Sequence, residues 1–242
     1  MRVSRIFQDM PLLCGNQIEL DEDGSHYVRT VLRLKKGSNV VVFNGQGGEF
    51  QGNILEASRQ RVAISILDRI DKDVESNLKV NLGLSISKGS RMDYAIQKAV
   101  ELGAHAITPL ISERTVVKLT KEKKTQKIKH WQKIVNHAAE QCGRTMVPAV
   151  QNVQLLFEWT SQQTGTRVFL DPNSTANFSS LELKRPMITL LAGPEGGFSQ
   201  QEKQRVKDSG FISVQLGKRI LRSETAALAA LAAVQTIWGD YG

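Results

Sequence analysis

The residues most able to do chemistry lie in two glycine-bearing turns near the C-terminus. One is Leu191-Ala192-Gly193-Pro194-Glu195-Gly196-Gly197-Phe198-Ser199. The other is Leu216-Gly217-Lys218-Arg219-Ile220-Leu221-Arg222-Ser223-Glu224-Thr225-Ala226. Each follows a short apolar run and precedes a helical pattern. Glycine lets the backbone come close to a ligand. The first N–H groups of the following helices, after Ser199 and Ser223, are free to meet an anionic or polar group. Two such turns after buried strands read as a ligand site rather than as two tight loops.

Other chemistries are excluded by pattern. No Gly-x-x-x-x-Gly-Lys-Ser/Thr loop and no strand followed by Gly-x-Gly-x-x-Gly occurs. Gly45-Gln46-Gly47-Gly48 lies between β-type runs and opens no helix. The four histidines, at 26, 105, 130 and 137, lack metal-ligand spacing. There is no Gly-x-Ser-x-Gly elbow.

The elements that must position the turns form an alternating α/β pattern. Leu78 to Ser87 reads as a strand. A helix starts at Ser90, with Asp93 completing a capping box, and Tyr94, Ile96, Ala99, Val100 and Leu102 form its apolar face. Ala106 to Leu110 is the next strand. A basic helix over about 121–142 places Ile128, Trp131, Val135, Ala138 and Cys142 on one face, with Trp131 and Cys142 read as buried apolar residues. Val153 to Trp159 reads as a short helix, Thr166 to Leu170 as a strand, and Asn173 to Ser180 as a polar loop. Pro186 to Ala192 is a buried strand. Ser199 and Glu202 make a second capping box, and Gly210 ends that helix. Phe211 to Leu216 is a strand and Ser223 to Trp238 the last helix. Such alternation predicts a parallel, layered sheet.

The first third differs. Gln17 to Leu20, Asn39 to Phe43, Glu49 to Leu55 and Arg61 to Leu67 read as short strands separated by glycine turns, the pattern of a small barrel. His26 to Arg33 reads as one short helix with Tyr27, Val31 and Leu34 on one face. The polar stretch from Asp71 to Asn77 marks a boundary, giving domains 1–72 and 73–242.

The 242 residues carry a net charge of +8, concentrated in the second domain. Lys118 to Lys133 alone holds seven lysines against one glutamate. The excess favours a polyanionic partner. No run is long enough for a membrane span, and the N-terminus has no apolar leader. Cys14 and Cys142 are read as reduced thiols of a cytoplasmic protein.

The two turns resemble the signature of the SPOUT methyltransferases, most closely the RsmE-type family, which methylates N3 of a uridine in the decoding region of 16S rRNA. Further matches run in order along nearly the whole chain: Arg2, Arg5 and Phe7; His26 with Val31-Leu32-Arg33 and Gly37; Lys98 to Gly103 leading to Thr108-Pro109 and Ser112-Glu113-Arg114; and Glu140-Gln141-Cys142-Gly143-Arg144 with Pro148. The resemblance implies a PUA-like RNA-binding β-barrel followed by an α/β domain with a C-terminal trefoil knot, in a homodimer without metal. It implies S-adenosylmethionine held by Leu170, Leu191, Gly193, Pro194, Glu195, Gly196, Leu216, Gly217, Ile220, Leu221 and Thr225, with Asp171 beside them. For methyl transfer to a uracil nitrogen, Arg222 would stabilise the charge that develops on O2 and O4. Glu224 would accept a proton or orient Arg222. Arg2, Arg5, Arg29, Arg33, Arg114 and Arg144 would contact RNA. The other readings are a non-catalytic RNA-binding protein of ribosome assembly and a SPOUT methylase with another target, such as a ribose hydroxyl.

Overall fold

The structure is a computed structural model that describes residues 3–117 and 119–242. Met1, Arg2 and Lys118 lie outside the described residues. The chain divides into two units: Met1–Glu75 with Ala139–Val147, and Ser76–Ala138 with Pro148–Gly242. The second segment of the first unit departs from a division into two continuous stretches. A set of polar contacts ties that segment to the rest of the unit. Glu140 Oε1 accepts from the Phe7 N–H at 2.9 Å. The Arg144 carbonyl accepts from Arg5 at 2.8 Å. The Arg144 guanidinium donates to Glu75 at 2.9 Å.

The first unit contains β1 (Ser4–Phe7), β2 (Gln17–Glu19), α1 (Glu22–His26), β3 (Asn39–Phe43), β4 (Glu49–Ala57) and β5 (Val62–Ile70). They form one five-stranded sheet in the order β1-β3-β4-β5-β2. Only β1 and β3 pair in parallel. Among the described residues no ladder joins β1 to β2, so the barrel predicted from strand spacing is not closed by hydrogen bonding. Alternating residues of these strands, such as Val40, Val42, Ile64 and Ile66, point into one core with Ile6 and Val28.

The short helix also differs from the reading of residues 26–33. It starts earlier, capped by Asp21, whose carboxylate accepts from the Gly24 N–H at 2.7 Å. It then widens into a π-helical turn over Tyr27–Val31. The changed periodicity turns Val28 fully inward and leaves Val31 60% exposed.

The second unit contains β6 (Lys79–Ser85), α2 (Ser90–Glu101), β7 (Ala104–Ile111), most of α3 (Lys121–Cys142), β8 (Ala149–Val150), β9 (Gln154–Leu155), α4 (Leu156–Gln162), β10 (Thr166–Leu170), β11 (Met187–Ala192), α5 (Gln200–Asp208), β12 (Ile212–Val214) and α6 (Ser223–Trp238). The sheet order is β12-β10-β11-β6-β7-β8, with β9 also on β7. Every pairing is parallel. The strands are therefore apolar on both faces, as Val168, Phe169, Ile188, Leu190 and Leu191 show by their complete burial. One apolar cluster unites Leu156 and Trp159 of α4, Val206 of α5, and Phe169, Leu191, Phe198 and Phe211. Helix α6 packs against α2 and β11.

Three local expectations are corrected here. Ser90 does not cap α2: Gly89 holds the N-cap position, and no side chain caps the helix. Asp93 instead accepts from Trp131 Nε1 at 3.1 Å and lies 3.0 Å from His130 Nε2. A buried indole N–H requires an acceptor, and that demand draws the carboxylate away from the helix start. Tyr94 is 52% exposed, and Met92 and Ala95 take the inward positions of α2. Within the loop after β10, a 3-10 turn at Phe178–Ser180 buries the Phe178 ring against Trp238. Ser199 and Glu202, by contrast, form both hydrogen bonds of a capping box at α5.

Candidate active site

Strands β10, β11 and β12 are adjacent in the sheet, although the chain makes them in the order β10, β11, β12 and places β10 in the middle. After β11 the chain crosses to the far side of β10. Ligands of open α/β sheets bind where such a reversal leaves room beyond the strand ends. A cavity of about 600 Å³ opens there, a size typical of a small-molecule site.

Three short segments wall it. The first, at the end of β10, supplies Leu170 and Asp171. Asp171 is buried; its Oδ1 accepts from Lys203 Nζ at 2.8 Å and from the Asn173 N–H at 3.1 Å. The second is the turn after β11. Gly197 closes it by donating its N–H to the Pro194 carbonyl at 2.9 Å, at φ 65°, a left-handed conformation that favours glycine. The turn is held from outside as well: Arg114 donates to the Gly196 carbonyl at 2.8 Å, and Arg91 lies 3.4 Å from Glu195. Below it Glu202, fully buried, accepts from the N–H groups of both Ser199 and Glu113.

The third wall is the turn after β12. Gln215 anchors it, its N–H on the Ala176 carbonyl at 2.9 Å and its side-chain amide on the Pro172 carbonyl at 2.7 Å. Ser223, at the start of α6, donates its hydroxyl to the carbonyl of Gly193 in the other turn. Arg222 occupies the N-cap position of α6 without capping it with its side chain, and lines the cavity.

The chemistry of these walls is that of a nucleoside-type site. Leu170, Val214, Leu216, Ile220, Leu221 and Ala226 supply apolar faces. Turn backbone supplies donors and acceptors, and Asp171 an acceptor for hydroxyl groups. Among the described residues, no group of three or more His, Cys, Asp or Glu could hold a metal, and no helix is long and apolar enough to cross a membrane.

Most of the residues expected around a cofactor meet here: Leu170, Gly193, Pro194, Glu195, Gly196, Leu216, Gly217, Ile220 and Leu221. Leu191 does not line the cavity; its side chain is buried in the apolar cluster beneath. Thr225 is also absent from the lining, being exposed on the first turn of α6. Glu224 is 9% exposed and lies outside the lining, with its Oε2 unpaired among the described residues.

The arginines expected to touch RNA separate. Arg5 is buried, paired with Glu49, and stacks 4.5 Å from the Phe43 ring centroid. Arg144 is buried against Glu75. Both are thus internal ties of the first unit, in place of the surface contacts expected of them. Arg29 is half-buried and holds the carbonyls of Ser25 and Ser58. Arg33 is exposed, at φ 54°, and Arg114 lines the cavity of the second unit. Arg2 lies outside the described residues. Sequence reading missed Arg91, Lys203 and Arg219 as cavity residues. Lys203 carried a usable signal, since it follows the Ser199 cap by one helical turn. Arg91, a hundred residues from the turn it supports, carried none.

A parallel α/β unit with a glycine-walled cavity at its strand ends, together with a small β unit, has the build of an RNA methyltransferase. Residues 74–235 match the family described as RNA methyltransferase domain, and residues 20–67 match the RNA methyltransferase PUA domain. Among individual relatives, the ribosomal RNA small subunit methyltransferase E of Buchnera aphidicola (subsp. Schizaphis graminum) is 37% identical over 241 residues, covering 99% of this chain and 98% of its own. That of Bacillus subtilis is 33% identical, covering 86% of each. The crystal structure of the Neisseria gonorrhoeae protein of that name, bound to S-adenosyl methionine, superposes with TM-score 0.93 at 36% identity over the full length of both chains. A putative methyltransferase of Legionella pneumophila, in complex with the same cofactor, gives TM-score 0.97 at 36% identity over 99% of this chain and 100% of its own. The chain belongs to the ribosomal RNA small subunit methyltransferase E family.

Proposed function

We propose that this chain transfers a methyl group from S-adenosylmethionine to N3 of a uridine in the decoding region of 16S rRNA. The observation that carries the reading is the joining of two distant turns into one cavity by the Ser223–Gly193 hydrogen bond, with Arg222 on its wall. The cavity residues fit the cofactor. Apolar faces suit adenine, Asp171 offers a carboxylate to a ribose hydroxyl, and backbone groups of both turns can read the base edge. The cofactor, when bound, supplies an electrophilic methyl on a sulfonium.

The protein's own residues then orient and stabilise. N3 of uracil must lose its proton, which passes to solvent water, and the charge spreads to O2 and O4. Arg222 is the catalytic group of this reading, because it lines the cavity and its guanidinium makes no hydrogen bond or ion pair among the described residues. A preorganised cation at a developing anion is worth about 3–4 kcal/mol of barrier by analogy with oxyanion donors. Glu224, buried in the first turn of α6, is assigned a positioning role: its carboxylate complements the helix N-terminus that follows Arg222. No proton transfer is assigned to it, since it lies outside the cavity lining.

The same reading includes a trefoil knot in the C-terminal part, supported by the way residues 213–215 hydrogen-bond with the 171–176 loop before the chain returns to Gly193 at Ser223. It includes residues 1–72 as the RNA-binding domain and 73–242 as the catalytic one. It also includes a homodimer, supported by Tyr94 of α2 and Ile237 of α6, exposed apolar side chains on two helices that pack together. The test is methyl transfer from labelled cofactor to small ribosomal subunits of a strain lacking the modification, followed by mass analysis of the RNA. A methyl on N3 of one uridine is expected. A methyl on a ribose, or none with cofactor bound in calorimetry, would refute the assignment.

A further inference from the structure

Five basic side chains line the cavity: Arg91, Arg114, Lys203, Arg219 and Arg222. Three are engaged by the protein itself. Arg91 pairs with Glu195, Arg114 donates to the Gly196 carbonyl, and Lys203 pairs with Asp171. Arg219 and Arg222 have no such partner among the described residues, and both are exposed. They lie three residues apart on the same turn, so their Cα atoms are separated by at most about 11 Å. Between them Ile220 is 80% exposed, which puts this stretch at the mouth of the cavity rather than on its floor.

We infer that Arg219 is a phosphate subsite for the RNA nucleotide being modified. This rests on the proposed RNA methylation. N3 lies on the pairing edge of uracil, so the nucleotide must leave its stack for that edge to enter the cavity. The base then reaches Arg222, while its phosphate lies against Arg219 on the same turn. An unpaired guanidinium there meets the phosphate through charge-assisted, bidentate hydrogen bonds. Contacts of this kind set the register of a nucleic acid without reading its sequence. The two free arginines thus divide the work: Arg222 acts on the ring and Arg219 holds the backbone that carries it. With either alone, the nucleotide could pivot.

The test compares Arg219→Ala, Arg219→Lys and Arg222→Ala with the unaltered protein, using unmethylated small subunits and labelled cofactor. Arg219→Ala should raise KM for the subunit roughly tenfold, with kcat and calorimetric affinity for S-adenosylmethionine within about twofold. It should also lower the salt dependence of RNA binding by about one phosphate contact. Arg219→Lys should recover part of the KM but not all, since lysine keeps the charge and loses the fork. Unchanged KM and salt slope, or a loss of cofactor affinity, would overturn the inference; the latter would make Arg219 a cofactor residue. Failure of the unaltered protein to methylate N3 would instead sink the proposed function, and the salt slope of binding would still decide whether Arg219 holds a phosphate.

Discussion

The Ser223 hydroxyl donates to the carbonyl of Gly193, thirty residues earlier in the chain. This one bond links the start of α6 to the turn after β11, so that two loops become facing walls. Ser223→Ala should separate them. We expect a loss of about 1 kcal/mol in stability, the net worth of one internal hydrogen bond. Affinity for S-adenosylmethionine should fall more than that alone explains, because the Gly193 carbonyl loses its fixed direction. Thermal unfolding with and without cofactor, alongside calorimetry, checks both effects.

Arg222→Ala should separate chemistry from binding. A cation used only as charge develops lowers kcat by about 10²–10³ and leaves ground-state affinity nearly unchanged. Single-turnover methyl transfer and cofactor titration give the two numbers. Equal losses in both would make Arg222 a binding residue.

Glu202 supports the first turn from below. Its carboxylate closes the capping box of α5 on the Ser199 N–H and also accepts the Glu113 N–H at 2.8 Å. Glu202→Ala strands two donors at a fully buried position. A cost of about 2–4 kcal/mol is expected, from one to three for each unsatisfied group with partial relief by water. Denaturant unfolding measures it. Ser199→Ala, which removes only the cap, should cost about 1 kcal/mol.

Arg5 gives a prediction of the opposite kind from the one its position near the N-terminus suggests. Arg5→Ala leaves the buried Glu49 with Lys72, at 3.3 Å, as its one remaining ion-pair partner among the described residues. A broken buried pair costs about 3–5 kcal/mol, and the lysine should reduce this. Replacing both Arg5 and Glu49 by apolar residues should destabilise less than Arg5→Ala alone. If RNA binding by the folded Arg5→Ala protein falls while its urea midpoint is unchanged, Arg5 touches RNA after all.

Tyr27 makes the alkaline limb of stability partly predictable. Burial first, and then the nearby Glu140 carboxylate, hold its hydroxyl above the ordinary value of 10.0. The neutral phenol is favoured in the fold, so its contribution is intact below pH 10 and is lost as pH rises through the higher folded value. Unfolding midpoints between pH 8 and 11 should therefore decline less steeply in Tyr27→Phe than in the unaltered protein.

Local physics made much of this molecule legible from sequence. Ser199 and Glu202 announce a helix start because both partners lie within one turn of chain. The 121–142 helix shows its apolar stripe because 3.6-residue spacing is a local property, and Trp131 is buried as that stripe requires. Gly197 and Gly217 mark turns because their left-handed backbone, at φ 65° and 72°, imposes the need. The order of these signals along the chain was enough to point to the family.

Tertiary structure decided which groups face one another. Asp93 satisfies the capping pattern of α2 yet serves the buried Trp131 indole, thirty-eight residues away. Arg5 and Arg144 look like free surface cations until Glu49 and Glu75 are brought against them. Residues 139–147 belong to the first unit for the same reason. Sequence order carries propensity, which sums over neighbours. It carries no measure of desolvation, and desolvation is what forces a buried charge or N–H to find its distant partner. Five arginines and lysines thus line one cavity, and only the fold distinguishes the three it holds from Arg219 and Arg222, which it leaves without a partner among the described residues.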